Sequence, residues 1–209
     1  MKMLRELILE GKIPYFRIVK TTALFLAFLP LPIFFLFKIS PRECGELGWN
    51  ILIGIMLIRP LADVFPGIKL LHSLVLFRKE FGIASAWLMI LHAYGNFAAG
   101  GKNIFVEILK PEYWKLSHPL MWGILGLIVV TVLLLTSNSF SMRVLRQNWK
   151  RIQKSAYLLF FLSAIHIALI SEDGIVKVIL PVLLVMILWT VASLKIKVPI
   201  FTKPESQTK

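Results

Sequence analysis

Cysteine occurs once in these 209 residues, at Cys44. A single thiol excludes an internal disulfide framework and any multi-cysteine metal centre. Acid is scarce as well: 11 Asp and Glu stand against 24 Lys and Arg, a net charge of +13. No G-x-G-x-x-G dinucleotide motif occurs, and no polar stretch is long enough for a soluble flavin domain. The sequence is therefore expected not to oxidise NAD(P)H unaided. It shows no internal repeat, no low-complexity segment and no pair of matching half-structures with broken helices of the kind transporters carry. Histidine comes to four residues: His72, His92, His118 and His166.

What the sequence has in abundance is apolar residues. They make up 57% of the chain, with a mean hydropathy of +0.78, and several runs approach the ~20 residues that a helical span of a bilayer requires. The composition points to an all-α integral membrane protein with six transmembrane helices, over about Thr21–Phe37, Leu47–Val64, Phe81–Ala99, His118–Thr136, Ser155–Ser171 and Ile175–Leu194. Pro30 and Pro32 predict a kink in the first. Arg59 and Asp63, four apart near one end of the second, are placed to pair on one helix face. Residues 1–20, with five basic side chains among Leu and Ile, read as a cytoplasmic interfacial segment, and no small-x-small site marks them as a cleaved signal. Residues 195–209 read as a cytoplasmic tail.

Charge sets the orientation. Five Lys and Arg lie in the first 20 residues, three in 66–80, five in 137–154 and four in the tail, against six in the opposite loops. Positive loops stay inside, so both termini are expected in the cytoplasm of a multi-pass inner-membrane protein. The same rule accounts for the net charge without nucleic acid, for which no basic surface with interleaved aromatics exists. Tyr113 and Trp114, in the long outer connection, read as interface anchors.

His92 and His166 lie well inside the third and fifth spans, which run in the same direction. A lone intramembrane His serves either as a neutral bond between helices or as a functional group; two at matching positions point to a bound metal or haem. Each stands 11 residues beyond its span's first residue, ~16 Å from the cytoplasmic end at ~1.5 Å per residue. Two imidazoles at one depth can ligate opposite faces of one iron porphyrin. A bare zinc ion wants three or four ligands, whereas haem with two axial histidines suits electron transfer. Ala93, Gly95, Ser163, Ala164 and Ala168, near these histidines, are small enough to leave room for a flat macrocycle or for plain helix contact.

The run from Leu71 to Gly95, with Phe77-Arg78-Lys79-Glu80-Phe81-Gly82 and then Leu91-His92, resembles the ferric reductase-like transmembrane domain family. So does Leu135-Thr136-Ser137 with Arg146-Gln147-Asn148-Trp149-Lys150, Tyr157 and Ile165-His166. Within that family the likeness is to the haem-binding membrane subunits of bacterial periplasmic methionine sulfoxide reductase systems, and it covers roughly residues 47–194. The resemblance implies a six-helix b-type haem domain that passes electrons from a cytosolic flavin, flavin reductase or quinol to a periplasmic molybdenum-containing reductase subunit. Two-haem relatives carry a further His about 13 residues before each ligand; here those positions hold Lys79 and Gln153. One haem b is therefore expected, with FMN or quinone as a further cofactor. Arg78, Lys79, Trp149 and Gln153 are the residues expected on the flavin or partner side, although positive-inside retention explains the charges equally well. His72 could serve an inner haem only by folding inward, and His118 could contact a propionate or simply lie at the interface.

Two other functions stay open on the sequence. A ferric or metal reductase membrane domain would use the same histidines with a different acceptor. A transporter or scaffold would use them only to bond helices together.

Overall fold

The computed structural model describes Glu10, Gly11 and residues 13–198. Half of the expected interfacial segment (residues 1–9 and Lys12) and residues 199–209 of the expected tail lie outside the described residues. The described chain is all-helical. Its helices are α1 (Phe16–Leu26), α2 (Pro30–Phe37), α3 (Pro41–Val64), α4 (Lys69–Val75), α5 (Arg78–Ala99), α6 (Ile104–Glu107), α7 (Pro119–Thr136), α8 (Ser139–Leu145), α9 (Gln147–Gln153), α10 (Ala156–Ile170) and α11 (Gly174–Ser193), with a 3-10 turn over Pro111–Trp114.

Among the described residues four helical stretches are long and apolar enough to cross a membrane: Pro41–Val64, Pro119–Thr136, Gln147–Ile170 and Gly174–Ser193. A fifth is added if α1 and α2, which meet at a bend of 40°, form one span. That bend is the expected proline kink, and Pro30 opens α2 as its first residue. At 22 residues α5 is long enough to cross, but Arg78-Lys79-Glu80 at its start and His92 and Asn96 near its end lower its apolarity. It packs against α1, α2, α3 and α7, so a central helix of this kind need not be apolar all round.

The helix of the second expected span begins earlier than Leu47. Ser40-Pro41-Arg42-Glu43 starts α3, with proline at the first helical position and the Ser40 N–H donating to Glu43 Oε2 at 3.3 Å. The segments read as loops at 66–80 and 137–154 also hold helices, α4 and then α8 and α9, the latter two divided by Arg146 at φ 48°. Such a left-handed residue stops one helix and re-aims the next. Arg59 and Asp63 pair as expected, at 2.9 Å on an exposed face.

The two most extensive helix packings are α3 with α5 and α7 with α10, and α11 completes the bundle against α3 and α10. Trp49 of α3 and Phe160 of α10 stack at 5.1 Å in the middle of the core. Without water to drive helices together, such contacts hold by packing. The result is a pair of helix pairs, each carrying one histidine.

Candidate functional site

His92 comes from α5 and His166 from α10, and both rings line one cavity of about 330 Å³. Their ring centroids lie 6.4 Å apart with planes inclined at 74°. The expected pair is thus brought together. Each ring is held in the same way. His92 Nδ1 lies 2.8 Å from the carbonyl of Pro41, the first residue of α3, and His166 Nδ1 lies 3.0 Å from the carbonyl of Pro119, the first residue of α7. A carbonyl oxygen only accepts, so in both rings Nδ1 carries the proton and donates it. Nε2 is left with a bare lone pair in each, the form a metal-binding imidazole takes.

Asn96, one turn beyond His92, donates through Nδ2 to the His92 carbonyl at 2.7 Å, and the same nitrogen sits 3.2 Å from His92 Nδ1. With Nδ1 protonated, the latter is a contact between two donors rather than a bond. Asn96 also lines the cavity. Of the small residues expected around the ligands, Ala93 and Ser163 line it. Gly95 instead admits α2 and α3, since a Cβ there would stand 2.6 Å from Pro41 Cγ and 2.9 Å from Phe34 Cζ. Ala164 and Ala168 pack into the core. The glycines that do face the imidazoles are Gly45 and Gly123, and no motif or spacing marks either of them out.

Lys102 and Tyr113 also line this cavity. Tyr113 is more than an interface anchor: its hydroxyl donates to Glu107 at 2.8 Å and its ring lies 5.2 Å from that of His118. His118 caps α7, its Nδ1 accepting from the Leu120 N–H at 3.2 Å. His72 is exposed on α4 and lines neither this cavity nor the larger one at the other end of the bundle.

Glu107, itself buried, also accepts from Lys110 Nζ at 2.7 Å. The bonds from Lys110 and Tyr113 hold its carboxyl below the usual 4.5, and the bond to Glu107 raises Lys110 above 10.5. The carboxyl contributes stability that is full above 4.5 and lost as pH falls through its depressed folded value. The Lys110 contribution is full below 10.5 and lost as pH rises through its raised value. Hydrogen exchange of residues 100–118 is expected to rise below the ordinary carboxylate range, and Glu107→Gln to remove that acid transition. An unchanged acid limb in the variant would place the titrating group elsewhere.

A second cavity, of about 830 Å³, lies toward the end of the bundle that carries the basic loops. Arg78, Lys79, Trp149 and Gln153, the four residues expected on the flavin or partner side, all line it. Arg59, Lys150 and Lys154 join them, which makes five cationic side chains, Arg59 paired with Asp63, and no carboxylate among the described lining residues. Trp149 donates through Nε1 to the Thr136 carbonyl at 2.9 Å, and Gln153 Nε2 reaches Thr136 Oγ1 at 3.2 Å. Among the described residues Arg78 Nε is buried without a partner, and a Cβ on Gly82 would meet nothing within 4 Å. Lys79 and Gln153 therefore share one chamber, and that chamber has no imidazole among its described lining residues. Among the described residues no group of three or more His, Cys, Asp or Glu could hold a bare metal ion.

The chain is similar to the protein-methionine-sulfoxide reductase heme-binding subunit MsrQ of Agrobacterium fabrum (strain C58), at 25% identity over 118 residues. The relationship is distant. The match covers 56% of this chain and 52% of that protein, so the chain spans about half the length of the curated relative it matches. No family model matches the chain. No solved structure matches it.

Proposed function

We propose that the protein is a b-type haem subunit that carries electrons across the membrane, from a flavin on the cytoplasmic side to a periplasmic methionine sulfoxide reductase. The observation that carries this reading is the pair of imidazoles in one cavity, each with Nδ1–H given to a backbone carbonyl and Nε2 bare. With metal–nitrogen bonds of about 2.0–2.1 Å, two imidazoles on one metal have ring centroids roughly 6 Å apart, and the observed 6.4 Å agrees. The donor set fits haem, which takes two axial ligands. His92 and His166 would hold the iron, while Ala93, Gly123, Gly126 and Ser163 line the space beside them. Bound haem supplies a one-electron relay. Lys102, on the same cavity, is a cation available to its propionates.

The second cavity supports flavin over quinol. A quinone head is neutral and has no use for a cationic lining, whereas the phosphate of FMN is an anion that Arg78, Lys79, Lys150 and Lys154 would attract. Lys79 and Gln153, where a second haem would need histidines, support one haem per chain. The methionine sulfoxide reductase partner rests on the resemblance and on the name of the Agrobacterium subunit. The four or five candidate spans, α5 as a further helix of 22 residues, and the excess of basic loops on one side support six spans with both termini inside.

The protein purified from haem-replete cells is expected to be red, with a reduced b-type spectrum and one haem per chain by pyridine haemochrome. A colourless protein under those conditions would reduce the two histidines to bonds between helices. A ratio of two would defeat the one-haem reading.

A further inference from the structure

We infer that Gly45 and Gly123 are positioning residues for the two imidazoles, each acting by uncovering the proline carbonyl one helical turn before it. The inference deepens the haem reading, on which it rests, by naming what in this chain orients the ligands. In an α-helix the Cα–Cβ bond tilts toward the N-terminus, so the side chain of residue i+4 lies over residue i. The carbonyl at i already accepts from the N–H at i+4, and its second lone pair is reachable only where that side chain leaves room. Gly45 stands four residues after Pro41, and Gly123 four after Pro119. A Cβ on Gly45 would come 2.5 Å from His92 Nδ1, and one on Gly123 2.9 Å from His166 Cε1 and 3.0 Å from its Nδ1. Neither ring could stay where it is. Each histidine thus meets the same pair of features, a proline carbonyl that takes its proton and a glycine that lets the ring come close enough to give it.

The chemistry that follows is tuning as well as placement. A ligand imidazole that donates Nδ1–H to a carbonyl is locked in one tautomer and is a stronger base at Nε2. Stronger donation favours ferric over ferrous iron. Displacing a ring from its carbonyl should therefore raise the midpoint potential, and a tenfold loss of ferric preference corresponds to about 59 mV for one electron. The closer approach at Gly45 makes His92 the more sensitive of the two.

The test compares Gly45→Ala and Gly123→Ala with Pro41→Ala and Pro119→Ala in the full-length protein. The glycine variants are expected to shift the potential upward and to change the low-spin ferric resonance. The proline variants keep the backbone carbonyl and are expected to stay near the parent in both. Nitrogen-15 spectra of labelled histidine in the haem-depleted protein give a readout independent of loading: Nδ1-protonated tautomers in the parent, mixed tautomers in the glycine variants. Parent-like tautomers in both glycine variants would overturn the inference. So would proline variants disturbed as much as the glycine ones, because the carbonyl would then not be the acting group. If the parent binds no haem but shows the Nδ1-protonated tautomers and their loss in the glycine variants, the haem reading fails and the positioning role stands.

Discussion

Replacing either His92 or His166 by alanine is expected to abolish the reduced b-type spectrum while the protein still accumulates in the membrane. Each ring is half-buried rather than central to the core, which is built around Trp49 and Phe160, so truncation leaves the packing that holds the bundle. On the proposed reading it removes one of the two side chains that would hold the iron, and the described lining residues include no other histidine and no cysteine to replace it. Haem content should fall at least tenfold in each single variant. That is the lower end of what loss of even an outer-sphere partner costs a metal site, and loss of the ligand itself should cost no less. His72→Ala and His118→Ala serve as controls and should keep their spectra, since His72 is exposed and His118 is engaged as the cap of α7. Full haem content in both ligand variants would place the ligands elsewhere.

The second large effect concerns the cationic cavity. Arg78→Glu together with Lys79→Glu is expected to weaken FMN binding to the purified protein at least tenfold and leave the haem spectrum as it was. Hydrogen bonds to charged groups contribute about 1.5–3 kcal/mol each, and about 1.4 kcal/mol is already a factor of ten. Reversing two of five lining charges also replaces attraction by repulsion at short range. On the proposed reading the haem is spared, because neither residue lines the histidine cavity. Fluorescence quenching of FMN by the two proteins would measure the ratio. Equal affinities would remove flavin from this cavity and reopen quinol as the donor.

Much of this arrangement is legible in the amino-acid sequence. Apolar runs of bilayer length mark the membrane helices, and two residues equally far along parallel helices lie at one height, which brings His92 and His166 together. The same rule brings Lys79 and Gln153 to one chamber. The parts that escape a sequence reading do so for physical reasons. The start of α3 depends on Ser40-Pro41-Arg42-Glu43, a capping signal whose charge disguises it as loop. Helices α4, α8 and α9 are too short for their periodicity to stand out, and Arg146, at a left-handed φ, breaks the pattern between the last two. The proline–glycine pairs are hidden for another reason. Each histidine lies 51 or 47 residues from the proline that holds it, so the correspondence is not a repeat of constant period. It acquires meaning only when α3 packs on α5 and α7 on α10. Asn96 is within reach of the sequence, as the residue one turn from His92.

Val130 and Leu159 line both cavities and are only 2% and 4% exposed. Two hydrocarbon side chains offer no proton a place to rest, while an electron needs no bonded path to pass between them. On the proposed reading a reduced flavin would give up two electrons through this partition and leave its protons on the cytoplasmic side. Turnover would then separate charge across the bilayer instead of moving hydrogen. An interior-negative potential favours the outward passage of negative charge, by about 2.3 kcal/mol per 100 mV for a charge that crosses fully. The membrane potential would thus act as a second driving force for the reduction, alongside the difference in redox potential between donor and acceptor.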